Sequence, residues 1–342
     1  MSRANAPTLE DVARLAGVST ASISRALNDP DKVAKPTRDK IEKAIDALGY
    51  TPNFGGRALA SNRTNTVGAI IPTMANAMFA SGVQAFQEVL SEAGVNLLLA
   101  TTGYDPEQEL RQIKALIAHG ADGLMLIGDA RPQTTRDFLD KRRIPHVISW
   151  CFQPEASPVH VGFDNRAAAY AAMQRVLALG HRRIAMICGV RAGNDRAGDR
   201  LDGVTAAIAD FGQGAELIQV TEARYRLEFG GDAFEAIMSH TPRPTVIMCG
   251  NDVLAAGALK RARELGIDVP GTVSLVGFDD IGLASVVTPP LATVRVPQIE
   301  MGRAAARLLL ARLGGQNGDG PVELHTEFMP RASLAPPAPD SP

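Results

Sequence analysis

Thr8-Leu9-Glu10-Asp11-Val12-Ala13-Arg14-Leu15-Ala16-Gly17-Val18-Ser19-Thr20-Ala21-Ser22-Ile23-Ser24-Arg25-Ala26-Leu27-Asn28 reads as two short helices around a glycine turn. Thr8 stands three residues before Asp11, the spacing of a capping box that opens a helix. Leu9, Val12, Ala13 and Ala16 then recur at helical spacing, and Gly17 breaks the run. Ser19 can cap a second helix that lasts to about Asn28. Its Ile23, Ala26 and Leu27 fall on one inward face. Thr20, Ala21, Ser22, Ser24 and Arg25 are left outward. A third helix starts near Pro36, carries Ile41, Ala44, Ile45 and Leu48 on one side, and stops at Gly49. Helix, tight turn and second helix form the helix-turn-helix pattern. An outward surface of small residues lets a backbone enter a DNA groove closely, and one long guanidinium can reach a guanine edge. The competing reading is a three-helix cap with an ordinary solvated face.

Charge supports the first reading. The chain has 342 residues, with 35 Lys and Arg against 37 Asp and Glu, a net of -2. Residues 1–63 carry 10 basic and 7 acidic side chains, and the rest carry 25 against 30. A basic head on an acidic body is expected when only one end meets nucleic acid. No apolar stretch approaches the roughly 20 residues of a membrane span. The N-terminus lacks the apolar segment of a signal peptide. Three distant cysteines (Cys151, Cys188 and Cys249) form no metal-binding or disulfide pattern. A soluble, cytoplasmic protein without cofactor or metal is expected.

The motifs Thr8-Leu9-Glu10-Asp11-Val12-Ala13, Ala16-Gly17-Val18-Ser19, Ser24-Arg25 and Leu48-Gly49-Tyr50-Thr51-Pro52-Asn53 resemble, densely and in order, the headpiece of the lactose/purine repressor (LacI-type) family of bacterial regulators. The resemblance implies that Thr20, Ala21 and Arg25 contact bases, while Thr8, Ser19, Ser24 and Asn28 contact phosphates, which position without specifying. It also implies a hinge over 51–65, with Asn53, Arg57 and Leu59 in the minor groove and Leu59 wedged into a base step. Gly55 and Gly56 depart from a good helix former, so the hinge is expected to order only on DNA.

From residue 66 apolar strands alternate with amphipathic helices, the grammar of parallel sheets covered on both faces. Strands are expected at 67–71, 96–100, 123–127 and 146–149. A second series covers 160–162, 184–188, 217–220, 245–248 and 274–277. So many strands imply two α/β lobes. The resemblance implies a periplasmic-binding-protein-like body over 66–332, crossed three times by the chain, with effector in the cleft. The site residues expected there are Phe79, Asp164, Asn165, Arg196, Arg200, Asn251 and Asp279. Asp164, Asn165 and Asn251 could equally be plain helix caps, and Phe79 and Phe278 could be plain core. Phe278 stands where relatives often have tyrosine. Arg196 with Arg200 suits an anion. Pro72–Phe79 and Gly103–Glu107 resemble the gluconate-repressor branch. A sugar or sugar acid is therefore expected, and a purine is disfavoured because few aromatic residues are placed at the cleft. Residues 333–342 read as a disordered, Pro-rich tail. No heptad repeat follows, so a homodimer on a near-palindromic operator is expected.

No phosphate loop, nucleophile elbow, zinc-protease motif or dinucleotide fingerprint occurs, so no catalytic residues are expected. The rivals to a DNA-binding repressor are a sugar-binding protein without DNA role, an enzyme on the same body, and an architectural DNA binder.

Overall fold

The computed structural model describes residues 7–51, 63–152, 159–316 and 320–338. The chain divides into two compact units, Met1–Thr64 and Asn65–Pro342. Asn53, Arg57 and Leu59 lie outside the described residues.

In the first unit, α1 (Leu9–Ala16), α2 (Thr20–Asn28) and α3 (Lys35–Leu48) follow one another, with a short 3-10 turn at Pro30–Lys32. The capping box is formed on both sides: Asp11 N–H donates to the Thr8 hydroxyl oxygen, and Thr8 N–H donates to the Asp11 carboxylate at 2.9 Å. Gly17 takes a left-handed conformation (φ 67), which only glycine adopts without penalty, and so turns the chain sharply between α1 and α2. Val12, Ile23, Ile41, Ala44 and Tyr50 close a small core.

The second unit holds two parallel sheets. The first contains β1 (Thr66–Ile71), β2 (Asn96–Thr101), β3 (Gly123–Ile127), β4 (His146–Ser149), β5 (His160–Gly162) and β11 (Val322–Glu323), in the order β11-β5-β4-β3-β1-β2. Helices α4 (Ala77–Glu92), α5 (Pro106–Ala118), α6 (Gln133–Arg142) and α12 (Gln298–Leu313) belong to this lobe. The second sheet runs β7-β6-β8-β9, from β6 (Arg183–Gly189), β7 (Glu216–Ala223), β8 (Val246–Cys249) and β9 (Ser274–Val276). Around it lie α7 (Asn165–Ala178), α8 (Asp195–Phe211), α9 (Leu227–Met238), α10 (Asp252–Glu264) and α11 (Gly282–Val286). An antiparallel pair, β10 (Thr293–Arg295) and β12 (Glu327–Met329), lies beside it. The chain passes between lobes after β5, before α12 and after β11. Every residue of β1 and β3 is buried, as strands covered on both faces require. Close packing of α4 on α12 depends on paired glycines: a Cβ on Gly302 would stand 2.0 Å from the Gly82 carbonyl oxygen.

Three sequence expectations are corrected. The strand at 160–162 belongs to the first sheet, because Ile148 and Ser149 of β4 pair with His160 and Val161. Apolar spacing predicts a helix over 201–210, but α8 begins at Asp195, six residues earlier. Residues 333–338 are not a loose tail but part of the second lobe. Ser333 is fully buried, its hydroxyl donates to Leu275 O at 2.6 Å and accepts from Ala292 N–H at 2.8 Å, and Leu275 N–H donates to Ser333 O.

Candidate functional site

In the head, burial of Ile23 and Ala26 fixes the rotation of α2, and that rotation leaves Thr20, Ala21, Ser24 and Arg25 exposed on its other side. Ser19 is also exposed and caps the helix, accepting from Ser22 N–H at 3.2 Å. Thr8 is committed to Asp11: its hydroxyl donates to the carboxylate at 2.7 Å. Those bonds from Thr8 hold the Asp11 carboxyl below its usual range. Asn28 is the last residue of α2.

In the second unit, Arg200 is the centre of a buried polar cluster. It enters from α8, with Nε donating to Asn165 Oδ1 at 2.9 Å and Nη1 donating to Gly250 O at 2.6 Å. Its Nη2 stands 3.5 Å from Asp279 Oδ1, and the guanidinium lies 3.8 Å from the centre of the Phe278 ring. Phe278 in turn stacks with Phe163 at 6.2 Å. Asn165 completes a bridge by donating to Trp150 O at 3.0 Å. The helix cap here is Asp164, which accepts from Ala167 N–H at 2.9 Å. Asn251 does two things: Oδ1 caps α10 through Leu254 N–H at 2.9 Å, while its buried Nδ2 has no partner. Asp279 Oδ1, Trp150 Nε1 and Asn194 Oδ1 are likewise buried and without hydrogen bonds. Leaving such groups unpaired costs about 1–3 kcal/mol each, so a molecule that completes them gains that back. Phe79 packs edge-on against Trp150 at 5.6 Å and belongs to the apolar wall.

Burial pushes the Asp279 carboxyl up to about 7, against the opposing pull of Arg200 and Arg196. Its backbone is held at φ 108, in a region that ordinary residues avoid. Arg196 is buried with its Nη1 2.8 Å from Asp195 Oδ1. Asp195 Oδ2 accepts from Asp129 N–H, joining the second lobe to the first.

Several cleft residues escaped the sequence reading. Tyr104, at φ 67 after β2, faces Tyr225 after β7 with ring centres 5.7 Å apart. Arg131 is buried and paired with Glu109 at 2.9 Å. These positions lie in loops without periodicity, and only their polarity next to strand ends marks them. The expectation of few aromatic side chains is corrected, and with it falls that ground for disfavouring a purine. The cavity bounded by Tyr104, Glu109, Arg131, Gly193, Asp195 and Arg196 measures about 30 Å³, room for a water or two.

Among the described residues no helix is long and apolar enough to cross a membrane, and no group of three or more side chains could hold a metal ion.

A helix-turn-helix head followed by a two-lobed body with a polar cleft defines a ligand-responsive DNA-binding regulator. Comparison with known proteins agrees at both ends. The profile of the bacterial regulatory proteins of the lacI family matches residues 8–53, and that of the periplasmic binding protein-like domain matches 173–334. The HTH-type transcriptional repressor CytR of Escherichia coli (strain K12) is 32% identical over 329 residues, covering 96% of each chain. A LacI-family transcriptional regulator from Silicibacter pomeroyi superposes with a TM-score of 0.87 at 29% identity, over 96% of this chain and 99% of that one. The transcriptional regulator CelR in complex with cellobiose superposes at 0.70 with 31% identity, over 96% of this chain and 100% of that one. The chain therefore belongs to the lacI family of bacterial regulatory proteins. It is a DNA-binding transcriptional repressor with an effector-binding domain, and its relatives are transcriptional regulators rather than enzymes.

Proposed function

We infer that this repressor binds a near-palindromic operator as a homodimer in the cytoplasm and is switched by a sugar or sugar acid in the inter-lobe cleft. The observation that carries the effector class is the set of buried polar atoms near Arg200 that have no hydrogen bond: Asp279 Oδ1, Asn251 Nδ2, Asn194 Oδ1 and Trp150 Nε1. Donors and acceptors are mixed among them, which suits hydroxyl groups, since each hydroxyl can both donate and accept. The similarity to a cellobiose-bound regulator favours the same class. Arg131, Arg196 and Arg200 lean the preference toward an acid. A cavity of about 30 Å³ admits no sugar, so the lobes must part to take one.

At the head, Arg25 is the base-reading cation, with Thr20 and Ala21 selecting by contact or exclusion. Ser19, Ser24 and Asn28 serve the phosphates. The Thr8 hydroxyl is occupied by Asp11, so phosphate contact at that helix start falls to the unpaired backbone N–H groups of the first turn. Asn53, Arg57 and Leu59 act as the minor-groove hinge. A two-fold dimer demands a two-fold site.

A second reading rests on one observation. The Tyr104–Tyr225 pair at the cleft offers aromatic rings on which a planar base can stack, giving a nucleoside effector.

The test is selection of duplexes from a random pool at fixed salt, because non-specific binding falls steeply with salt. Release of the selected duplex is then measured with sugars, sugar acids and nucleosides. A near-palindrome released by a sugar or sugar acid supports the reading. Release by a nucleoside alone moves the effector to the second class. Retention without sequence pattern, indifferent to all of them, defeats it.

A further inference from the structure

Helix α6 ends in Lys141-Arg142-Arg143, three consecutive exposed cations for which the described residues provide no ion pair. In the same lobe Arg111 pairs with Asp105 and the half-buried Arg136 with Asp129, while Arg303 and Arg307, exposed on α12, also have no ion pair among the described residues but are not consecutive. Arg143 sits at the helix C-cap with φ 50, a left-handed position where glycine is the ordinary choice. Beside it lies a surface hollow of about 400 Å³, also lined by Arg312, His146 and Asp140. Arg312 Nε is buried there without an acceptor. His146 Nδ1 is turned to Ile144 O at 2.9 Å, and burial, with Arg131 and Arg312 adding, holds its pKa down. Among the described residues Asp140 is the single carboxylate lining this hollow. Cations at a helix C-terminus do complement its dipole, but that effect is spent within the last turn and does not call for an arginine in left-handed backbone.

The position of this cluster follows from the sheet. Strands of the first sheet are parallel, so the start of β4 at His146 and the start of β1 at Thr66 lie on the same edge. β3 alone separates them, which places the two starts about 10 Å apart. Thr66 is where the chain coming from the DNA-binding head enters this lobe. A basic cluster therefore marks, on an otherwise acidic body, the edge to which the head is tethered.

We propose that Lys141, Arg142 and Arg143, with Arg312 behind them, form a second DNA contact that holds backbone phosphates of the same duplex the head reads. The contact reads no sequence. It adds affinity and salt dependence, since each phosphate neutralised releases counterions and steepens the fall of log K with log salt by about 0.9.

The experiment uses the full-length protein and a duplex of about 40 base pairs, either one enriched from a random pool or, if none is enriched, one of mixed sequence. Affinity is measured across salt concentrations for the unaltered protein, for the triple variant K141Q/R142Q/R143Q, and for Arg143→Gly. The triple variant should weaken binding several-fold near 0.1 M salt and flatten the slope by about 2–3, with base preference unchanged. Arg143→Gly relieves the left-handed backbone while removing one charge, so weaker binding and a slope flatter by about 1 cannot be laid to misfolding. Identical slopes in all three proteins overturn the proposal and leave the cations as helix-terminal charges or as a site for an acidic protein. A selected near-palindrome with unaltered slopes would keep the operator reading and reject this contact alone.

Discussion

In the proposed reading base recognition falls to a single guanidinium at position 25, which the head holds exposed on α2. Ile23 and Ala26 are buried on the opposite side of the same helix, so Arg25 cannot be turned inward without exposing them. Arg25→Ala should cost about 1–3 kcal/mol of operator affinity and blur preference at one base pair. Competition with single-base-variant duplexes reads this out, and unaltered selectivity would remove Arg25 from its role. In the cleft, Asp279 makes a pH-dependent prediction. Its folded pKa is raised to about 7 by burial, so its contribution to stability is complete in acid and is lost as pH rises through about 7. Asp252, raised to about 8 by burial and by the Asp279 charge, acts in the same direction. At about 1.4 kcal/mol per unit over a rise of about 3 units, Asp279→Asn should recover on the order of 4 kcal/mol at pH 8 and less than half of that at pH 5. Melting curves at both pH values test it; a variant as pH-sensitive as its parent contradicts the assignment. The same substitution should abolish response to the effector, stability and function being opposed at this residue. Arg200 and Asp279 were legible in the sequence because a charged side chain directly after a strand or at a helix entry has little structural use. Tyr104, Tyr225 and Asn194 were not, because their meaning comes only from lobe apposition.

Elements differed in legibility for identifiable reasons. The two strictly amphipathic helices of the head, with a hydroxyl at each start and glycine after the first, could be read nearly to the residue. Strands covered on both faces announced themselves as apolar runs. Helix α6 escaped because Gln133-Thr134-Thr135-Arg136-Asp137 opens it with polar residues and only Thr135 and Leu139 are buried. The start of α8 was hidden by Asp195-Arg196-Ala197-Gly198-Asp199-Arg200, where the buried positions are arginines instead of apolar side chains. The segment from Ser333 looked like a tail because proline density reads as disorder, although a Pro-rich strip can still supply hydrogen bonds. His181, buried, is held by Thr245 Oγ1 on one ring nitrogen and by Ala335 O on the other. A chain ending at residue 332 would lose the three bonds that join Ser333 to Leu275 and Ala292. With the Ala335 bonds to His181 and Ser274 gone as well, the body should lose more than about 3 kcal/mol at about 1 kcal/mol for each bond. Urea unfolding of the shortened protein measures this. An unchanged midpoint would mean that the strip is only laid on the surface.

For the molecule, two compact units sharing one chain impose a thermodynamic condition on regulation. The effector meets the body and the operator meets the head, so communication requires that each prefer one of at least two global arrangements. Residues that face each other across the cleft, Tyr104 with Tyr225 and Asp129 with Asp195, show where such arrangements would differ. Parting the lobes enough to admit an effector larger than a few waters breaks these contacts, and bound effector must replace them. Charge asymmetry and strand-helix alternation made the division of labour readable from the sequence. The direction of the switch is not written there, because it depends on the free-energy difference between arrangements and on no single residue. Linkage nevertheless fixes one quantity in advance. If effector changes operator affinity by some factor, operator must change effector affinity by the same factor, typically about 5–150-fold. Titrating effector with and without saturating duplex, and duplex with and without saturating effector, should return one number. Asp279→Asn should bring both toward unity if Asp279 holds the effector as proposed, since it removes the carboxylate charge and turns one of its two acceptor oxygens into a donor. Two unequal factors would mean that effector also binds outside the cleft, and equal factors unaltered by Asp279→Asn would move its binding site away from Arg200.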